Sequence, residues 1–213
     1  MNLGDVKFAL YLAVALVPSL VLHEYAHAFA ADAFGDPTPR RWGRLTLNPK
    51  PLIDPFGSII LPGLILLLVA AGKGFILPIF AYAKPMPLDP TYLRNRSRDS
   101  LIVVLAGPAA NLALAAVAGT VIRAGIGGDV GLIVRAFLIV NVFMFVFQLM
   151  PVPGLDGAKL LARVLPPHPR EVYVSMDQYL VLFMLVIFFL LAGPLLGIVR
   201  SLADVLFRLL AGA

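Results

Sequence analysis

Hydrophobic positions run along this chain in long unbroken blocks rather than alternating on one face of an element. Four stretches of 18 or more residues contain no Asp, Glu, Lys or Arg: Pro55–Gly72, Leu101–Ile122, Ala136–Leu155 and Val181–Val199. At about 1.5 Å per helical residue, each spans a hydrocarbon layer of about 30 Å. The pattern predicts a first helix from about Phe8 to Ala31, stopped by the turn residues Gly35-Asp36-Pro37-Thr38-Pro39. No small-residue cleavage site follows the apolar Phe8–Leu22, so this helix reads as retained rather than as a signal peptide. Arg44-Leu45-Thr46-Leu47 then alternates like a short strand, ended by Asn48-Pro49. Pro55 to Ala83 reads as a hairpin of two membrane segments with its tip at Gly72-Lys73-Gly74. Leu101–Arg123 crosses back, a helix ending near Met150 returns, and a last span lies near Tyr179–Val199. The expected fold class is an all-α polytopic membrane protein, residues 1–213 forming one integral-membrane domain. It has about five or six transmembrane segments, with a short β-strand or re-entrant element after helix 1.

Composition supports this reading. Of 213 residues, 60% are hydrophobic and 14% charged, against about 25% charged in ordinary soluble proteins. The absence of cysteine excludes disulfide scaffolds, thiol nucleophiles and Cys-type zinc sites. A net charge of +5 raises the question of nucleic acid, but the basic residues form no compact patch with interleaved aromatics. Topology accounts for them better. Eleven of the 17 Lys and Arg residues fall in loops 32–56, 84–100 and 151–178, which the positive-inside rule assigns to the cytoplasm, with the N-terminus outside.

Within helix 1 stands His23-Glu24-Tyr25-Ala26-His27, an H-E-x-x-H sequence. Histidines at i and i+4 share a helix face, so two imidazoles can grip one metal ion while the intervening glutamate handles a proton of a metal-bound water. The chain has three histidines and two glutamates, and this one turn holds two of the former and one of the latter. Ionisable groups inside a membrane span are costly and usually serve a cavity and a function. The bland alternative is a hydrogen-bonded polar cluster that packs helices together.

A catalytic zinc needs a third ligand. The candidates are Glu171, in a polar stretch that reads as solvated loop, and Asp156, in Met150-Pro151-Val152-Pro153-Gly154-Leu155-Asp156-Gly157. There the prolines break a helix, and broken backbone at membrane depth survives where it is buried in protein or lines a wet cavity. Asp156 also suits an N-cap for a helix over Gly157–Leu165. Asn111 lies ten residues, about 15 Å, into its helix, at the expected depth of the histidines.

These segments together resemble the site-2 protease family of intramembrane zinc metalloproteases, in the small bacterial and archaeal branch. The likeness rests on the H-E-x-x-H turn, Gly107-Pro108-Ala109-Ala110-Asn111 and Pro151-Val152-Pro153-Gly154-Leu155-Asp156-Gly157. Leu45-Thr46-Leu47-Asn48-Pro49 and Ile53-Asp54-Pro55-Phe56-Gly57 add to it. The resemblance implies one Zn2+ per chain held by His23, His27 and Asp156, with Glu24 as general base. A two-His, one-carboxylate set also accepts Fe(II). The implied substrate is a single-pass membrane protein cut in or near its transmembrane helix within the bilayer. No PDZ or CBS domain has room here. The family usually has Asn where this chain has Gln148; Asn111 and Gln148 are candidates for the substrate backbone or the oxyanion. Arg44, Leu45, Thr46 and Leu47 are candidates for pairing with an extended substrate strand. The alternative function is a catalytically inactive pseudoprotease or membrane chaperone of the same fold.

Overall fold

The computed structural model describes residues 3–70, 82–84, 86–189 and 192–212. All regular structure among them is helical. Helix α1 spans Leu3–Ala33, α2 Thr38–Arg41, α3 Leu61–Ala70, α4 Arg96–Arg123, α5 Gly128–Gln148, α6 Asp156–Val164, α7 Pro167–Ser175, α8 Leu180–Phe189 and α9 Ala192–Ala211. Among the described residues, three helices are long and apolar enough to cross a membrane: Val6–Ala33 within α1, then α4 and α5, with mean hydropathies of 1.8, 2.2 and 2.5. They pack on one another as a three-helix core, α3 rests on α1, and α9 closes over α4 and α5.

Small residues make this packing close. Ala15, Ala28, Ala31, Ala115, Ala118 and Ala136 are buried, and a Cβ on Gly119 would come within 2.5 Å of the Leu210 carbonyl of α9. Where lipid removes any hydrophobic drive between helices, such backbone proximity supplies the packing energy. Larger side chains fill the seams: Leu12, Leu16, Leu20, Val140, Met144 and Phe147 join α1 to α5, while Leu138 and Val142 meet α9.

The structure modifies several expectations. Helix α1 begins five residues before Phe8. The expected strand Arg44–Leu47 is a series of bends, and no strand occurs among the described residues. Its polar groups are used locally instead: the Arg44 guanidinium donates to the Pro51 carbonyl, Asn48 N to Thr46 Oγ1 and Lys50 N to Asn48 Oδ1. Side chains that bond their own backbone compete with a ladder, and no neighbouring strand offers one. Pro55–Ile60 forms a wide π-helical turn leading into α3, with Asp54 Oδ1 accepting from Phe56 N and Gly57 N. The tip expected at Gly72–Gly74 lies outside the described residues, so the count of about five or six spans rests on the sequence. The expected last span near Tyr179–Val199 falls on α8 and α9, with residues 190 and 191 outside the described residues. The stretch around Glu171 is helix α7 rather than loop, with Glu171 exposed.

Candidate metal centre

The H-E-x-x-H turn faces α4. His23 and His27 are 1% and 4% exposed, their rings stand edge to face at 4.7 Å, and both abut Gly107. A Cβ on Gly107 would lie 2.2 Å from His27 Nε2 and 2.7 Å from His23 Nε2, so glycine is what allows two imidazoles at this crossing. The second helix also orients one ring. His27 Nδ1 donates to the Val103 carbonyl at 2.7 Å, since a carbonyl can only accept, and Nε2 therefore carries the lone pair.

Asp156 arrives from the other side. Helix α5 ends at Gln148, and the proline-rich break turns through Gly154 at φ +90°, a left-handed conformation suited to glycine. Asp177 Oδ1 accepts from Gly154 N, and the Tyr173 hydroxyl donates to the Pro151 carbonyl, so α7 and the turn after it brace the break. At Gly157 a Cβ would stand 2.2 Å from the Leu149 carbonyl oxygen; its absence lets α6 begin against the end of α5. Asp156 is thus the first residue of α6 rather than its N-cap, which is Leu155. Its carboxylate is spent elsewhere. Asp156 Oδ2 lies 2.9 Å from His27 Nε2 and 3.2 Å from His23 Nε2, and the two Nε2 atoms are 3.1 Å apart.

Two imidazole nitrogens and a carboxylate oxygen converge here, an arrangement that either a shared proton or a metal cation can hold together. A tetrahedral zinc with ligands at about 2.0–2.3 Å sets its donor atoms roughly 3.3–3.7 Å apart, close to the spacing of this triangle. His23, His27 and Asp156 are all buried and are the group of His and acidic side chains, among the described residues, that could hold a metal. Donor set and geometry both fit a two-His, one-carboxylate centre.

Comparison with known proteins identifies the lineage. No protein-family profile matches the chain, and no solved structure matches it. "Putative zinc metalloprotease YwhC" of Bacillus subtilis (strain 168) is 32% identical over 188 residues, covering 84% of this chain and 80% of the relative. The chain belongs to the site-2 protease family. "Putative zinc metalloprotease Rip2" of Mycobacterium tuberculosis (strain H37Rv) is 36% identical over 195 residues, 87% of this chain and 70% of that protein. The protein of the same name from Mycolicibacterium smegmatis is 36% identical over 176 residues, and the chain spans 60% of its length.

The site thus brings together three of the residues expected of a site-2 protease metal centre. Glu24 is half-buried on the same helical turn. Gln148 is 5% exposed at the end of α5, eight residues before Asp156. Asn111 is fully buried one turn beyond Gly107 on α4. Arg44 is buried against its own loop, and Leu47 is 60% exposed. Two participants have no counterpart among the sequence candidates. Gly107 provides the space, and Lys159 holds the outer carboxylate oxygen, Nζ to Asp156 Oδ1 at 3.0 Å. Lys159 lies three residues after Asp156, one turn along α6, and that spacing is its only trace in the sequence.

Proposed function

We propose that this chain is an intramembrane zinc metalloendopeptidase that hydrolyses a peptide bond in or near the transmembrane segment of a single-pass membrane protein. The observation that carries the reading is the convergence of His23 Nε2, His27 Nε2 and Asp156 Oδ2 at mutual distances of 2.9–3.2 Å, buried where membrane-length helices cross. The zinc metalloprotease names of the relatives support it. His23, His27 and Asp156 would hold one Zn2+, which when bound supplies Lewis acidity and lowers the pKa of a ligated water towards 7.

The chain's own residues do the rest. Glu24 is the general base, taking a proton from the attacking water and delivering it to the leaving amine. Val103 holds the tautomer of His27 through its carbonyl, and Lys159 turns Asp156 so that Oδ2 points inward. The Gln148 amide, buried at the end of α5, donates to the oxyanion or to the substrate backbone in this reading. The site lies towards the cytoplasmic side of the cell membrane in this reading, the side to which the basic loops are assigned.

The test is metal content of the purified protein beside His23→Ala and Asp156→Ala, followed by cleavage of a membrane-embedded substrate. About one zinc per chain is expected in the wild type, with loss in both variants. Glu24→Gln should keep its zinc and lose cleavage by a factor of about 100 or more. Wild-type protein that holds no metal, prepared without chelators, overturns the reading.

A further inference from the structure

The outer nitrogens of the two histidines are treated differently. His27 Nδ1 has the Val103 carbonyl, whereas His23 Nδ1, equally buried, has no hydrogen-bond partner. Both amide atoms of Asn111 and the Oδ1 of Asn141 are also buried and unpaired. His23 is 1% exposed, Asn111 and Asn141 0%.

Helical spacing puts these four atoms near one layer of the core. Gly107 abuts both imidazoles, so Asn111, four residues and one turn further along α4, falls on the same face of that helix, towards α1 and the level of Ser19. Ser19 Oγ accepts from Asn141 Nδ2 at 2.8 Å and donates to the Ala15 carbonyl at 2.7 Å, which brings α5 into the same layer. Nδ1 and Nε2 lie on opposite sides of an imidazole. With Nε2 turned to Asp156 Oδ2, His23 Nδ1 points away from the three donor atoms.

Four unpaired polar atoms inside an apolar helical bundle are costly, and no lipid or side chain in the seam can satisfy them. Water can. It accepts from His23 Nδ1–H and Asn111 Nδ2–H and donates to Asn111 Oδ1 and Asn141 Oδ1. A buried water makes about three hydrogen bonds, so one or two molecules suffice. We propose that α1, α4 and α5 enclose an internal water site behind His23, held by Asn111 and Asn141, which fixes the His23 tautomer as the Val103 carbonyl fixes that of His27. Asn111 and Asn141 are then positioning residues for a metal ligand. The inference rests on the zinc reading above.

The experiment compares zinc affinity, by competition with a chromophoric chelator, in full-length wild type, Asn111→Leu and Asn111→Ala in detergent. Thermal unfolding of the metal-free forms is measured alongside. Leucine fills the space and expels water; alanine enlarges a polar space that a further water can occupy. The water site predicts at least tenfold weaker zinc binding for Asn111→Leu and a change under about threefold for Asn111→Ala. If Asn111 merely packs helices, the order inverts: leucine keeps affinity and stability, and alanine loses stability by leaving a cavity. That outcome, or equal affinities in all three proteins, overturns the proposal. Should Asn111→Leu fail to accumulate, Asn141→Leu carries the same expectation. Wild-type protein without zinc sinks the zinc reading and this inference with it; zinc binding that neither leucine variant weakens sinks this inference alone.

Discussion

At the scale of single residues, the centre depends as much on a missing side chain as on those present. Any Cβ at Gly107 enters the space of both histidines, at 2.2 Å from His27 Nε2. His27 cannot rotate aside cheaply because its Nδ1 is bonded to Val103 on the same helix as the intruding group. Alanine at a helix interior is otherwise favourable by about 1 kcal/mol. Gly107→Ala is therefore expected to fold normally by circular dichroism, yet bind zinc at least tenfold more weakly in a chelator competition. Unchanged affinity would mean the imidazoles are less confined than their burial implies. The H-E-x-x-H turn was legible in the sequence because its chemistry is local to one helix. The role of Gly107 was not, since its function appears only once α4 crosses α1 at that point. Lys159 escaped notice for a related reason: a lysine one turn after an aspartate is ordinarily a weak surface pair.

The element that delivers Asp156 shows what a proline-rich pattern can and cannot specify. Pro151 and Pro153 announced that α5 must end, and it does end at Gln148. Whether Asp156 would cap the next helix or turn inward depended on how closely α6 could approach α5, which Gly157 decides. A Cβ there would stand 2.2 Å from the Leu149 carbonyl oxygen and 2.3 Å from that of Met150, backbone atoms that cannot swing away. Gly157→Ala should push the start of α6 outward, costing about 1–3 kcal/mol by overpacking and removing Asp156 from the histidines. Thermal unfolding and zinc content read the two effects separately. Gly154→Ala should destabilise by a similar amount through its φ of +90° and its contact with Leu180. A variant of either kind with full zinc and wild-type stability would show that the break tolerates a shift. The Arg44–Leu47 alternation misled because period two reports only which side chains could share a face. A strand also needs a partner edge, and here Arg44, Thr46 and Asn48 bond within their own loop.

Across the whole molecule, several polar side chains of the membrane-length helices turn inward. Ser19, His23, His27, Asn111 and Asn141 are buried, while Leu10, Val14, Val17 and Val117 are exposed, as a bilayer in place of water requires. The two ends of the bundle differ in charge. Around the C-terminal end of α1 and the start of α4 lie Arg40, Arg41, Arg94, Arg96 and Arg98, with Trp42 67% exposed among them. At the opposite end Lys7 is paired with Asp129 at 2.5 Å, and Arg123 and Arg208 are exposed, fewer arginines than at the first end. By the positive-inside rule, the arginine-rich end is expected in the cytoplasm. The chain has no cysteine, so single-cysteine variants report topology without a background. Trp42→Cys marks the arginine-rich end, and Ile126→Cys, between α4 and α5, marks the other. In intact cells a membrane-impermeant maleimide should label Ile126→Cys and leave Trp42→Cys unmodified until the membrane is opened. The reverse pattern would put the metal centre nearer the outer face and send the search for substrates to proteins cut from that side.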